Sequence, residues 1–411
     1  EIPNKGGGKT LYPIEMTQEG ALAAALGGRM DLVAPDGTVM PLTYDRHISH
    51  GDGNWTWIGR LDGGALGQDA VITYGPDAAF GTLPAVNGMQ LKIITVHGHT
   101  YMAAAPLDGL SLGERAEGDT VNASPAPGSS LMASAGPVTQ GSGSASDNPV
   151  DVLMAYTTGY RVWVGSASAA QTSLVNMIDI ANRALVNSTV TNSAFRLVAT
   201  METNYADTVA IDTALGDLAG KSGAGTLADV RSARDQYGAD LVSLVRHFGS
   251  EQVNCGLAYI PASPYSAYAD AMFSVVEDGS YDNGRGTTYC ASTTAAHEMG
   301  HNLGAQHNHE QNATGGLYSY SYGYLNTSAG FYDIMAYGSS GQQAELLYST
   351  PDVSSCKDLA CGIANYADVA RTLRETMPIA MNFRNTVVAP SDNGMPGQLV
   401  LANGSGRCLD A

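Results

Sequence analysis

The sequence predicts an α+β chain in two parts, a small β-rich segment followed, after a linker, by a larger domain with a twisted mixed sheet and helices. Three observations carry this. Residues 1–115 hold short alternating apolar runs broken by DG, NG and GG pairs. Residues 116–149 are poor in apolar bulk and rich in Ala, Ser, Gly and Pro, ending GSGSASDNP, the composition of a flexible linker. Residues 150–388 alternate strand-like runs with stretches of helical spacing.

The elements follow in order. In the first part MDLVAPDGTVMPLTY, GNWTWIGRL, DAVITYG and LKIITVHGHTYMAAA read as strands with turns between them. The second part opens near Val150 with the strand VDVLMAYT. SASAAQTSLVNMIDIANRALVNS then places Leu174, Ile178 and Leu185 at helical spacing. AFRLVATMET and ADLVSLVRHF read as strands, separated by a Gly-broken helical segment around TLADVRSARDQYG. FSVVEDG reads as an edge strand, where an extended peptide can add by β-augmentation. Next come the helix of HEMGHNLGAQH, the Tyr- and Gly-rich GGLYSYSYGYL and the turn YDIMAYG. A last helix from about Tyr366 to Met377 is stopped or bent by Pro378.

HEMGHNLGAQH, residues 297–307, carries the chemistry. On a helix His297 and His301 stand at i and i+4, so both imidazoles leave one face at a separation that one metal ion bridges. Glu298 lies beside them but off the ligand line, where a carboxylate can act as general base toward zinc-activated water and pass the proton to the leaving amine. Gly304 can take a left-handed conformation that turns the chain, so that His307 returns as third ligand. Three protein ligands leave a fourth position open, which a catalytic zinc needs and a structural one does not. His309 and Glu310 fall at no standard ligand spacing and read as loop residues.

Composition narrows the setting. A formal net charge of −19 over 411 residues excludes nucleic acid as a partner, since its phosphates would be repelled. No run of 18 apolar residues exists to span a membrane. EIPNKGGG lacks the charged and apolar regions of a signal peptide, so a secretion signal is expected to have been removed or to lie outside this sequence. All five cysteines fall in the second half. A Cys255–Cys290 bridge would tether the zinc helix to a neighbouring strand, worth about 3 to 4 kcal/mol by loop-closure entropy, and Cys356 and Cys361 could close a small loop. Bridges in an oxidising, extracellular compartment are the expectation over free thiols. Cys408 is left over.

The extended zinc motif, followed by YDIMAYG with Met335, resembles the metzincin clan of metallopeptidases. That resemblance implies a catalytic domain over roughly residues 150–385 in the order β-α-β-α-β-β-α, with Met335 as an apolar floor under the ligands. Tyr337 matches the tyrosine that in astacins and serralysins binds zinc at rest and then stabilises the oxyanion; a pocket-wall tyrosine is the plainer alternative. Asn308, after the third ligand, is neither the Glu of astacins nor the usual Asp of reprolysins, so the subfamily stays open. CGLAYI, the cysteine before the helix, AHEMGHNLGAQHN, YSYGY, IMAYG and ARTL together resemble bacterial reprolysin-like enzymes of the peptidyl-Asp metalloendopeptidase type. This implies a secreted zinc endopeptidase acting on protein or peptide substrates, cleaving on the amino side of Asp. Such specificity needs a cation in the S1′ pocket; Arg371 and Arg374 are the candidates, with solvated helix arginines as the alternative. Residues 389–411 form a linker whose tail, GQLVLANGSGRCLDA, resembles the start of a ricin-type β-trefoil, a possible carbohydrate-binding module, against a plain extension. A catalytically silent zinc-containing binding protein is the rival function, and an intact Glu298 counts against it.

A β-rich module, a flexible link and then a peptidase match the layout of a prosegment with its cleavage region, so the chain is expected to be a zymogen inhibited by its own N-terminal part. Residues 1–254 contain no cysteine, so a group that displaces the catalytic water must be an oxygen or imidazole. YDRHISHGDGNW offers Asp45, His47, His50 and Asp52 for an aspartate switch of the astacin kind, and a purely steric block is the alternative.

Overall fold

The computed structural model describes residues 10–106, 111–112, 118–125, 149–221, 225–249, 254–282, 287–311, 315–338 and 341–388. Cys408 and the expected lectin-like tail lie outside them, as does most of the expected linker.

The N-terminal part is β1 (Thr10–Pro13), α1 (Gln18–Leu26), β2 (Arg29–Val33), β3 (Val39–Ser49), β4 (Trp55–Leu61), β5 (Asp69–Tyr74), β6 (Ala79–Val86), β7 (Met89–Val96) and β8 (His99–Pro106). They form one eight-stranded antiparallel sheet in the order β1-β8-β7-β6-β5-β4-β3-β2. The runs MDLVAPDGTVMPLTY and LKIITVHGHTYMAAA each fold as a hairpin, β2–β3 and β7–β8. The second turns on His97 and Gly98, both with positive φ, as a two-residue hairpin loop requires. Helix α1 has no counterpart in the sequence reading, because its buried stripe is only Ala21 and Ala25, too weak an apolar signal to recognise. The strands alternate with period two. Trp57, Ile72, Leu83, Leu91, Ile93 and Met102 share one hydrophobic cluster with α1. Ile58, Val71, Phe80, Ile94 and Tyr101 join instead the main core of the second part.

Two short strands follow, β9 (Ser111–Leu112) and β10 (Thr120–Asn122). The second part then runs β11 (Val150–Thr157), α2 (Thr158–Val164), α3 (Ala167–Asn187), β12 (Phe195–Thr203), α4 (Ile211–Leu218), α5 (Ala228–Tyr237), β13 (Leu241–Phe248), β14 (Gly256–Ile260), a 3₁₀ turn (Tyr265–Ala271), β15 (Phe273–Asp282), β16 (Thr287–Tyr289), α6 (Thr294–Asn302) and, after irregular chain with three two-residue strands, α7 (Val369–Ala380). Its sheet has the order β10-β14-β15-β13-β11-β12. β14 and β15 are antiparallel; β10 on β14, β15 on β13, β13 on β11 and β11 on β12 are parallel. VDVLMAYT is buried at every residue because both faces are covered. Val152 and Met154 join the core of α3 and α6, while Leu153 and Ala155 meet α4 and α5.

Three expectations change. FSVVEDG, in β15, is interior; the edges of this part's own sheet are β12 and β14, and β10 covers β14. Strand order in the folded sheet decides this, since both strands are buried and neither carries a local mark of its place. Residues 118–125, expected as linker, carry β10. The last helix begins at Val369, capped by the Asp368 side chain, and continues through Pro378 to Ala380. Proline removes the N–H that would bond the Arg374 carbonyl, and Asn192 Nδ2 donates to that oxygen instead, at 3.1 Å.

The N-terminal sheet is anchored on α3 by buried polar pairs. Arg183 Nη2 donates to Asp69 Oδ1 at 2.8 Å and Nη1 to Asp45; Asn187 also reaches Asp69. His50 Nε2 lies 2.9 Å from Asp179 Oδ2, and Thr56 donates to the same oxygen. Lys92 Nζ reaches Asp278 Oδ1 on β15 at 3.0 Å, and the β7–β8 turn bonds the end of α2 through its backbone.

Candidate metal centre

Helix α6 is buried along its whole length and fixed at both ends. Before it, Cys290 is bridged to Cys255, next to β14, and Cys356 is bridged to Cys361. At its C-terminus Asn302 Nδ2 donates to the carbonyls of Tyr259 at 2.8 Å and Phe273 at 3.1 Å, tying the helix to the sheet. A Cβ on Gly300 would lie 2.6 Å from Met335 Sδ, so Met335 packs directly beneath the helix. The chain then reverses at Gly304, whose φ of +94° few L side chains adopt, and His307 returns toward His301.

The three imidazoles converge through their Nε2 atoms. His301 and His297 Nε2 are 2.9 Å apart, His307 and His301 3.1 Å, and His297 and His307 3.2 Å. His297 Nδ1 faces the Ile334 carbonyl at 2.7 Å and His301 Nδ1 the Ala305 carbonyl at 2.9 Å. A carbonyl only accepts, so those Nδ1 atoms carry the hydrogens and the Nε2 lone pairs point at one another. Lone pairs at that range repel unless a cation sits at their focus. Ligands at ~2.0–2.1 Å around a tetrahedral zinc would be about 3.3 Å apart, so the donor set fits. Burial keeps His301 neutral, pushing its pKa down to about 4, and lowers His307 in the same sense.

A fourth residue completes the group. Asp119, just before β10, places Oδ1 2.7 Å from His307 Nε2 and 3.2 Å from His301 Nε2, and Oδ2 3.1 Å from His297 Nε2. Burial penalises the ionised form of this carboxyl, and the inward lone pairs of neutral imidazoles offer it no proton, so a cation at their shared focus is what would hold it as a carboxylate. Among the described residues, Asp119, His297, His301 and His307 form a group whose ligand atoms lie close enough together to hold one metal ion.

The remaining groups are held by equally specific contacts. Glu298 packs against the backbone of Gly256, where a Cβ would stand 1.9 Å from Oε1. Tyr337 directs its hydroxyl to Asp119 Oδ2 at 2.5 Å and His307 Nε2 at 3.0 Å. Asn308 Oδ1 accepts the Tyr337 backbone N–H at 3.1 Å, which gives that residue a positioning task. Asp333, buried so that its pKa is pushed up to about 7, accepts backbone N–H groups of Tyr324 and Ser349 and shapes the turn carrying Met335. His309 is stacked between Tyr322 and Tyr366 at 3.8 and 4.1 Å, outside the ligand group.

Residues 146–367, more than half of the chain, match the family described as metallo-peptidase family M12B, reprolysin-like. The chain belongs to this family. The peptidyl-Asp metalloendopeptidase of Pseudomonas aeruginosa is 29% identical to this M12B peptidase over 266 residues, covering 61% of this chain and 42% of that protein. The chain thus spans under half the length of that curated relative. A solved chain from the structure of a chaperone–substrate complex superposes with a TM-score of 0.43 at 15% identity, over 75% of this chain and 39% of that one.

The structure brings His297, Glu298, His301, His307, Met335 and Tyr337 together in the M12B domain, and distributes the other candidates elsewhere. Asp45 and His50 bind α3, Asp52 bonds Gln171 and the Asn54 N–H, and His47 bonds the Tyr44 hydroxyl; Asp119 stands where one of these four was expected. Arg371 pairs with Glu375 and stacks on Tyr320, and Arg374 pairs with Asp352, both partly exposed. Sequence reasoning missed Asp119 and Gly256. An Asp in EGDTVNA has no fixed spacing to the histidines, and its only local signal was the short β-branched pair Thr120-Val121.

Proposed function

We propose that this chain is a secreted zinc endopeptidase of the metzincin type, in zymogen form, with the N-terminal sheet and the segment after it as inhibitor. The convergence of three Nε2 atoms, with Nδ1 of His297 and His301 held by backbone carbonyls, carries the reading. A bound zinc would supply Lewis acidity, polarising the scissile carbonyl and acidifying the attacking water. Glu298, one residue from His297 on α6, takes the proton of that water and delivers it to the leaving amine. The Tyr337 hydroxyl, on the same apex, donates to the oxyanion that develops. Secretion is supported by two disulfides, and no helix among the described residues is long and apolar enough to cross a membrane.

Cleavage on the amino side of Asp is proposed from the sequence resemblance to peptidyl-Asp metalloendopeptidases, the class that the Pseudomonas relative is named for. A substrate carboxylate reaching Arg371 or Arg374 would have to compete with Glu375 or Asp352, so substitution of each arginine tests the candidates separately. An Asp-to-Asn change after the scissile bond should cost about 10²-fold if a buried cation reads the carboxylate.

Zinc content and hydrolysis of casein, before and after removal of the N-terminal part, test the main reading. Glu298→Ala should keep one zinc and lose ~10²- to 10⁴-fold in turnover. Near-parental activity in that pure, metal-loaded variant would refute the assignment.

A further inference from the structure

We infer that Asp119 is the residue that keeps this peptidase latent, acting as a fourth metal ligand carried on a strand laid along the edge of the sheet. The inference rests on the proposed function and names the regulation of the same site.

Two contacts define the device. Backbone first: at one end of β10 the Ala258 N–H of β14 donates to the Asp119 carbonyl at 3.0 Å, and at the other the Ala123 N–H donates to the Ile260 carbonyl of β14 at 2.9 Å. β14 is otherwise an open edge of the sheet, and its free N–H and C=O groups are what an extended peptide would pair with. While β10 is seated, that pairing is taken. The side chain does the rest. A carboxylate buried against neutral imidazoles is costly unless a cation lies between them, so Asp119 belongs to the same donor set as the histidines. It takes the position that water needs, and it engages the Tyr337 hydroxyl.

The anchors of the N-terminal sheet, Arg183 with Asp45 and Asp69, His50 with Asp179, and Lys92 with Asp278, lie on α3 and β15 rather than at the histidines. Unblocking therefore requires residues 118–123 to leave β14, and the eight-stranded sheet acts as the mooring that keeps them there.

The test uses the uncut full chain loaded with cobalt(II), whose visible spectrum reports the ligand set, and acetohydroxamate as a small chelating probe. The parent should keep a cobalt spectrum unaffected by the probe, and the spectrum should change when the chain is cut between residues 126 and 148 and the N-terminal fragment removed. Asp119→Ala should bind the probe without any cut, about 100-fold more tightly than the parent if the ligated state is favoured about 99 to 1. A cobalt spectrum identical before and after cutting would overturn the inference without recourse to the variant, because a merely steric cover leaves the ligand set unchanged. So would a folded Asp119→Ala chain that stays closed to the probe while the cut parent is open and active, an outcome that leaves the peptidase reading standing. A cut parent that binds cobalt through no histidine, or hydrolyses nothing, would remove both.

Discussion

Gly256→Ala tests how tightly the proposed base is seated. The added Cβ would lie 1.9 Å from Glu298 Oε1, 2.4 Å from Cδ and 2.7 Å from Cγ. Ordinary contact begins near 3.4 Å, so the carboxylate must retreat by roughly 1.5 Å or β14 must shift. The strand has little room to do so, since Gly256 is paired with Val276 and follows the bridged Cys255. A misplacement of about 1 Å can cost ~10²-fold in rate, and complete loss of an acid/base group ~10² to 10⁴, so kcat should fall by about 10²- to 10³-fold. The imidazoles of His297 and His301 are held by the Ile334 and Ala305 carbonyls rather than by Gly256, so zinc should remain at one equivalent. The assay is steady-state hydrolysis of a peptide by the enzyme freed of its N-terminal part, with zinc measured on the same sample. Activity within about threefold of the parent would refute the seating argument. Loss of zinc together with activity would show that Gly256 supports the fold of the site rather than the base.

Three further outcomes are expected. Tyr337→Phe in the freed enzyme should lower kcat by about 10²-fold with little change in KM, the signature of an interaction made mainly in the transition state; a change in KM alone would instead mark a pocket-wall residue. Arg183→Leu leaves Asp69 buried with Arg60 and Asn187 as remaining partners and should destabilise the uncut chain by about 2–4 kcal/mol, read as a lower urea midpoint, and no measurable shift would refute the anchoring role. His50 should make the attachment of the N-terminal sheet pH-dependent. Burial alone would lower its pKa, but Asp179 and then Asp52 raise it above 6.5. A folded-state pKa raised in this way gives stability that is full below pH 6.5 and lost as pH rises through the higher value. His50→Gln should therefore cost more stability at pH 5.5 than at pH 8.5, and an equal cost at both would refute the pairing.

How much of this was legible depended on the range over which each feature is encoded. The i, i+4 spacing of His297 and His301, the φ of Gly304 and the helical stripe of α3 are set by neighbours within a few residues, so sequence alone determines them. The bridged cysteine pairs were readable because only a few pairings flank the zinc helix and the turn after it. Asp119 lies 178 residues from His297, and Asp45 lies 138 residues from Arg183. Nothing in either local stretch names its partner. What places Asp119 is backbone pairing of β10 with β14, in which any residue can take part, so no side-chain pattern announces the register. The same holds for β14 and β15, both buried, where only the strand order of the folded sheet decides which lies nearer an edge. Sequence thus determined the helix that carries the candidate metal ligands, while tertiary structure alone decided which distant carboxylate meets them, because strand addition is specified by a shared edge and not by a motif.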